Sequence, residues 1–155
     1  MGAHLTGSSR CRIVLLWHMH QPTYRSPLTG RYELPWVLLH GMRDYYDMPA
    51  LAAGHEGVRP VFNLVPGMVK QLLDYATGKA TDAFVQVAMK EPADLSEAER
   101  LFLLDNFFVV HPGTMIRPYP RYSELLAKRE AVADSAGNPS AFSAGELRDL
   151  QVWYF

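Results

Sequence analysis

The chain has 155 residues, of which 48% are hydrophobic and 20% charged, and its formal net charge is −1. This composition is typical of one globular domain, and it excludes a disordered chain and a basic surface for nucleic acid or anionic membranes. No apolar run approaches the roughly 20 residues that span a bilayer, and a single cysteine excludes an internal disulfide, so we expect a soluble protein of the cytoplasm.

The chain begins with a polar leader and continues into a short apolar segment. Residues 1–11 lack the hydrophobic core of a secretory signal, and we expect them to be disordered. Residues 13–17 read Ile-Val-Leu-Leu-Trp, and such a run predicts a strand buried on both faces of a parallel sheet. Pro22 ends any further pairing because proline has no backbone N–H.

Two histidines stand where this predicted strand stops. In an extended backbone residues i and i+2 point to the same side, so His18 and His20 are expected to project together. In barrels and open α/β sheets, functional groups gather at the carboxyl ends of the strands. His18, His20 and the adjacent Gln21 therefore indicate the rim of an active site.

The next segments predict helices and a second strand. Pro35 is placed to begin a helix, and Pro49 is expected to end it and to start a shorter helix that Gly54 closes. Residues 60–65 then predict a strand, and strand, helix and strand in this order predict one βαβ crossover with parallel strands.

A further helix is predicted after the second strand. It begins at Pro66 and is stopped by Gly78. Its apolar residues recur at helical spacing and predict the buried face of the helix. These residues are Val69, Leu72, Leu73 and Ala76.

The second half predicts helices without further strands. Ser96 with Glu99, and again Ser143 with Glu146, have the spacing of a capping box, in which serine and glutamate side chains satisfy the first N–H groups of a helix. The first box is expected to open an apolar helix at 101–110. The other predicted segments are a weak helix at 82–90, a proline-rich passage at 111–121, a helix to about residue 130 and a loop at 133–140.

Two strands are too few for the sheet of an α/β protein. In addition, residues 153–155 are all aromatic, and no glycine, proline or basic last turn closes the final helix. We therefore expect residues 12–155 to be the amino-terminal fragment of a longer protein, with further strands beyond Phe155.

The segment His-Met-His-Gln-Pro at 18–22 resembles the first signature of glycoside hydrolase family 57, in which His-x-His-Gln-Pro ends the first strand. Other blocks continue the resemblance in the same order, so that it spans nearly the whole chain from Ile13 onward. These blocks lie at 35–40, 44–48, 62–66 and 142–153.

The resemblance implies an α/β fold that is an incomplete (β/α)7-type barrel, represented by its amino-terminal βαβ portion and a helical insertion. It implies hydrolysis, transfer or branching of α-glucans or related α-glycosides through a covalent glycosyl-enzyme, with two carboxyl groups about 5 Å apart. In the family both carboxylates come from later signatures. A glutamate nucleophile and an aspartate acid/base are therefore expected beyond Phe155, and no catalytic residue is assigned within the chain.

The residues that carry over from the resemblance are substrate-binding ones. His20 matches the histidine that lines the subsite of the sugar under attack, and His18 matches the preceding histidine. Gln21 and Pro22 match the remainder of the signature. An imidazole can donate to a sugar hydroxyl, and the neighbouring Trp17 offers an apolar platform for a pyranose ring. The predicted partner is an α-glucan or oligosaccharide, with no cofactor and no bound metal.

Two alternatives remain open at this point. A His-x-His pair at the end of a barrel strand can also hold a divalent metal in a metal-dependent hydrolase, with further ligands from later strands. The fragment can also be a catalytically inactive carbohydrate-binding piece. Trp36, Tyr45 and Tyr46 follow apolar helical periodicity and are therefore interpreted as core or loop support, not as sugar-stacking residues.

Overall fold

The computed structural model describes residues 12–133 and 139–155; the predicted leader and most of the loop predicted at 133–140 lie outside them. The described residues form a two-stranded sheet and a set of helices, so the α/β class is observed. None of these helices has the length and apolar character to cross a bilayer. The elements are β1 (Leu16–Met19), α1 (Trp36–Met42), α2 (Asp44–Ala53), β2 (Val61–Leu64), α3 (Pro66–Ala76), α4 (Ala83–Ala88), α5 (Glu97–Asn106), α6 (Pro120–Ala133) and α7 (Ala144–Tyr154).

The two strands are parallel and are joined by α1 and α2, which confirms the predicted βαβ crossover. The ladder runs from the Leu16–Val61 pair to the Met19–Leu64 pair. It therefore lies later in the sequence than the predicted strand at 13–17, and the first bond between the strands runs from the Val61 N–H to the Leu15 carbonyl oxygen at 2.9 Å.

The strands are not buried on both faces, and this prediction is wrong. The exposed fraction is 60% for Leu16, 43% for Trp17, 49% for Val61 and 54% for Leu64. Met19, in contrast, is only 2% exposed because it packs against the helices. Each strand has only one neighbouring strand among the described residues, so much of the apolar surface of the sheet is uncovered.

The helix predicted after Pro35 is broken at Arg43 and not at Pro49, which lies inside α2. Arg43 has non-helical backbone angles, and its guanidinium donates to the carbonyl oxygens of Tyr154 (3.2 Å) and Phe155 (3.4 Å). A contact with a distant helix therefore accompanies the break, and no local signal in the sequence reports it. Gly54 closes α2, as predicted.

The two predicted capping boxes of the second half mark the starts of their helices. Both capping boxes are formed, at Ser96 before α5 and at Ser143 before α7. However, α5 ends at Asn106, earlier than predicted, and the proline-rich passage contains a π-helical turn at Pro112–Ile116 that the sequence did not predict.

The larger of two hydrophobic clusters lies among α4, α5, α6 and α7 and is rich in aromatic rings. The Phe107 and Tyr154 rings stack with centroids 4.3 Å apart, and the buried Tyr122 hydroxyl donates to the carbonyl oxygen of Phe107. The smaller cluster, formed around Met19, Val37 and Met68, packs β1 against α1 and α3. The sheet thus has its own small core beside the helical one.

The buried face of α3 differs from the predicted one. Its buried residues are Met68 and Gln71, whereas Leu73 is 57% exposed. The predicted apolar face is therefore wrong in part, since a polar amide takes a buried position on this helix. The start at Pro66 and the stop near Gly78, which has a φ of +69°, are as predicted.

We expect the capping box of α7 to make stability depend on pH at acid values. Glu146 accepts from Lys128 Nζ at 2.6 Å and from the Ser143 N–H at 2.8 Å, and these bonds lower the pKa of its carboxyl to about 2, from 4.5. A depressed folded-state pKa adds stability that is present above the unfolded value of 4.5 and is lost as the pH falls toward 2. Glu146→Gln should lower the free energy of unfolding by about 1–2 kcal/mol at pH 7, and this difference should vanish near pH 2, as measured by urea denaturation.

A matched control for this measurement is Glu124→Gln on α6. Glu124 pairs with Arg121, but its side chain is 66% exposed. We expect a change of less than about 0.5 kcal/mol. Equal losses in the two variants would show that the capping box has no special effect.

Candidate functional site

The two imidazoles of the histidine motif stand side by side. The ring centroids of His18 and His20 are 5.9 Å apart and their planes differ by 20°. Both residues are exposed, while Met19 between them is buried. The predicted common orientation of His18 and His20 is therefore confirmed.

The pair lies at the carboxyl end of β1. His18 is within the ladder, opposite Asn63, and His20 is the first residue after the last pair. Because the strands are parallel, the carboxyl end of β2 lies at the same edge of the sheet. The imidazoles are thus at the edge where α/β proteins collect functional groups.

Two tyrosines engage both ends of the Gln21 amide. Tyr24 Oη donates to Gln21 Oε1 at 2.7 Å, and Gln21 Nε2 donates to Tyr45 Oη at 2.8 Å. Tyr45 Oη in turn donates to the carbonyl oxygen of His20 at 3.3 Å. Burial, together with the nearby Tyr45, raises the pKa of Tyr24, so its hydroxyl remains protonated and able to donate at neutral pH. Gln21 is therefore held in a fixed orientation, half-buried beside His20.

The segment is also tied to α3 through the buried Gln71. Gln71 Nε2 donates to the carbonyl oxygen of Pro22 at 2.9 Å, and Gln71 Oε1 accepts from the N–H of Tyr24 at 2.9 Å. Sequence reasoning did not identify Tyr24 or Gln71 and assigned Tyr45 to structural support. No local pattern marks Gln71, because an isolated glutamine on an amphipathic helix is ordinarily a surface residue.

Trp17 does not lie with the histidines. Successive residues of a strand point to opposite faces, so Trp17 shares a face with Met19. Its ring stacks on Phe62, with centroids 6.1 Å apart, and lines an apolar cavity of about 310 Å³ beside Met48 and Leu51. The structure thus brings His18 and His20 together, whereas the Gln21 amide bonds to two tyrosines that pack with Met19. The use of Gln21 and Trp17 in sugar binding stays a prediction.

The imidazole pair has no acidic partner among the described residues, because no carboxylate there is hydrogen-bonded or ion-paired to the His18 or His20 ring. Asp44, at the start of α2, pairs instead with His40, and its Oδ2 lies 2.5 Å from His40 Nδ1. Within the same part of the chain, no group of three or more His, Cys, Asp or Glu side chains is arranged to hold a metal ion.

The comparisons with known proteins gave one result. The family model described as Glycosyl hydrolase family 57 matches residues 14–143, a span that contains the histidine motif, the sheet and most of the helices. A search of curated proteins and a search of solved structures found no match.

We expect Tyr45→Phe to loosen the segment that carries the histidines. The variant removes the acceptor of Gln21 Nε2 and the donor to the His20 carbonyl, so the free energy of unfolding should fall by about 1 kcal/mol. The side-chain amide signals of Gln21 in an NMR spectrum should shift at the same time. The control is Tyr46→Phe, since the neighbouring Tyr46 is 69% exposed and its loss should change stability by less than about 0.5 kcal/mol. An unchanged Gln21 signal in Tyr45→Phe would contradict the observed contact.

Proposed function

The chain belongs to glycosyl hydrolase family 57, and from this premise we propose that it takes part in cleaving or transferring α-glycosidic bonds of α-glucans. Membership indicates glycoside hydrolase or transglycosylase chemistry in general. The finer proposal is that His18, His20 and Gln21 line the subsite of the sugar whose bond is broken.

The single observation that supports this proposal is the exposed imidazole pair at the carboxyl edge of the parallel sheet. Both rings are accessible, so their nitrogens are available to a ligand. A pyranose presents hydroxyl groups that are both donors and acceptors, and a neutral imidazole offers one donor and one acceptor nitrogen. Two such rings can therefore bind neighbouring hydroxyls of one sugar.

The role of the two histidines in this proposal is to bind and orient the sugar. A hydrogen bond to a sugar hydroxyl that strengthens as the ring approaches an oxocarbenium-like transition state lowers the barrier. Gln21 contributes less directly, because tyrosines already engage both ends of its amide. Its second amide N–H is the group with which it can reach a hydroxyl.

We propose that the nucleophile and the acid/base, expected as Glu and Asp, lie in a part of the protein beyond Phe155. The resemblance of residues 18–22 to the first signature of the family supports this placement, since it implies that both carboxylates come from later signatures. The uncovered apolar sheet also supports it, since Leu16 and Leu64 are more than half exposed and further strands of an (β/α)-type barrel would cover them. The 155 residues alone should then show no turnover on α-glucans, and hydrolysis traceable to them would contradict the placement.

We expect His20→Ala in the complete protein to lower kcat on maltooligosaccharides by about 100-fold and to raise KM much less. The reason is that the lost hydrogen bond is stronger in the transition state than in the ground state. Steady-state kinetics of the two proteins gives both constants. Wild-type turnover in His20→Ala would contradict the proposed role.

A matched control is His111→Ala, and a metal analysis tests the alternative chemistry. His111 is also exposed, but its Nδ1 lies 3.0 Å from Thr114 Oγ1 in the proline-rich passage, and its loss should leave kcat unchanged. Activity should also persist after chelation. Stoichiometric zinc that is lost together with activity would instead favour a metal-dependent hydrolase with His18 and His20 as ligands.

A further inference from the structure

We infer that Gln71 is a positioning residue for residues 18–24, which we call the histidine segment. This role rests on the proposed function of His18 and His20 in sugar binding. Gln71 contacts neither ring. It acts on the backbone that follows them, through a chain of hydrogen bonds that begins on α3 and ends at the carbonyl oxygen of His20.

Among the described residues, no strand pairs with the backbone of residues 20–23, and backbone pairing resumes only at Tyr24, whose carbonyl oxygen accepts from the Glu33 N–H at 3.0 Å. The ladder ends at the Met19–Leu64 pair, with one further bond from the Val65 N–H to the Met19 carbonyl oxygen at 3.2 Å. Backbone donors and acceptors that leave a sheet and enter the protein need other partners. The partner here is a side chain.

The Gln71 amide takes the place of a peptide group in a neighbouring strand. Its Nε2 donates to the Pro22 carbonyl oxygen, and its Oε1 accepts from the N–H two residues later, at Tyr24, both at 2.9 Å. In a parallel sheet, one residue donates its N–H to a carbonyl oxygen of the neighbouring strand and accepts from the N–H two residues later in that strand. The Gln71 side chain makes the same two bonds. A third bond, from Nε2 to the Gly67 carbonyl oxygen at 3.2 Å, holds the amide against its own helix.

Burial makes this arrangement specific for glutamine. Gln71 is 3% exposed, so an unpaired amide at this position would be desolvated without compensation. An apolar side chain of the same length would fill the space, but the Pro22 carbonyl oxygen and the Tyr24 N–H would lose their hydrogen-bonding partner. The position therefore selects an amide for its two hydrogen-bonding functions and not for its volume.

The anchored Tyr24 transmits the constraint to the motif. Because its backbone is fixed by Gln71, its hydroxyl is in place to donate to Gln21 Oε1. Gln21 then donates to Tyr45, and Tyr45 donates to the His20 carbonyl oxygen. Loss of Gln71 should thus release the turn after β1 and change the orientation of the His20 ring.

A matched control exists on α7. Gln151 is 4% exposed, and its Nε2 donates to the carbonyl oxygens of Val87 (2.8 Å) and Lys90 (2.9 Å) within the helical cluster. It is thus another buried glutamine with two bonds to backbone carbonyls, but it has no contact with the histidine segment. Gln151 Oε1 is buried without a hydrogen-bond partner among the described residues, so Gln151→Met loses only the two bonds to carbonyl oxygens and should destabilise the protein without affecting the motif.

The experiment compares Gln71→Met, Tyr24→Phe and Gln151→Met in the full chain labelled with ring-¹³C histidine. The histidine ring signals report the geometry of the motif, and the Kd for a maltooligosaccharide reports its function. We expect Gln71→Met and Tyr24→Phe to shift the His20 signals and to weaken binding roughly three- to tenfold, which is the effect of losing one or two ordinary hydrogen bonds. Gln151→Met should lower Tm only.

The outcomes separate this inference from the proposed function. If Gln71→Met and Tyr24→Phe leave the ring signals and the Kd unchanged, Gln71 is only structural and the inference is overturned. If the signals shift but His20→Ala binds the sugar as the wild type does, the proposed sugar site fails and the positioning of the segment stands. Tyr24→Phe removes a single hydroxyl and tests the bond from Tyr24 to Gln21 through which Gln71 is inferred to act, so unchanged ring signals in this variant overturn the inference even if Gln71→Met does not fold.

Discussion

The candidate site depends on how the chain satisfies its backbone after β1 ends. Pairing with β2 stops at Met19, and residues 20–22, which complete the motif, have no neighbouring strand within the described part of the chain. Side chains from two different helices take over: Gln71 from α3 bonds the turn, and Tyr45 from α2 bonds the His20 carbonyl oxygen. The position of the imidazole pair is therefore a property of the packing of both helices against the strand, and β1 alone does not define it.

The placement of those helices in turn depends on contacts far along the chain. Arg43, at the start of α2, donates to carbonyl oxygens at the end of α7, more than 100 residues away. Helix α3 is held by a different contact, since its Met68 packs with Met19 and Val37 in the small cluster under the sheet. The helical half thus contributes to the site indirectly, because it holds the helix that carries Tyr45.

The two faces of β1 have different surroundings. Met19 and Trp17 point toward the helices, where Met19 is buried and Trp17 stacks on Phe62. His18 points to the other face, which is open. The apolar run that precedes the motif thus indicated that a strand is present, but it was a poor indicator of the bounds and the burial of that strand. Alternation separates Trp17 from the histidines even though it is adjacent to them in sequence.

The sequence by itself determined the features that arise from neighbouring residues. Spacings of two or three residues determine the capping boxes at Ser96 and Ser143 and the common orientation of His18 and His20. The restricted backbone of proline determines the helix start at Pro66. These interactions form within one turn or one strand, so the local pattern contains all the partners.

Only the tertiary structure decided the remaining features. The break at Arg43, the burial of Gln71 and the network around Gln21 need partners that are 24 to 112 residues apart along the chain. The residues that surround Gln71 in the sequence do not distinguish it from a surface glutamine. Its burial is favourable only when the unpaired backbone after β1 lies against it. The motif could thus be identified from the sequence, whereas the residues that hold it in place could be identified only from the fold.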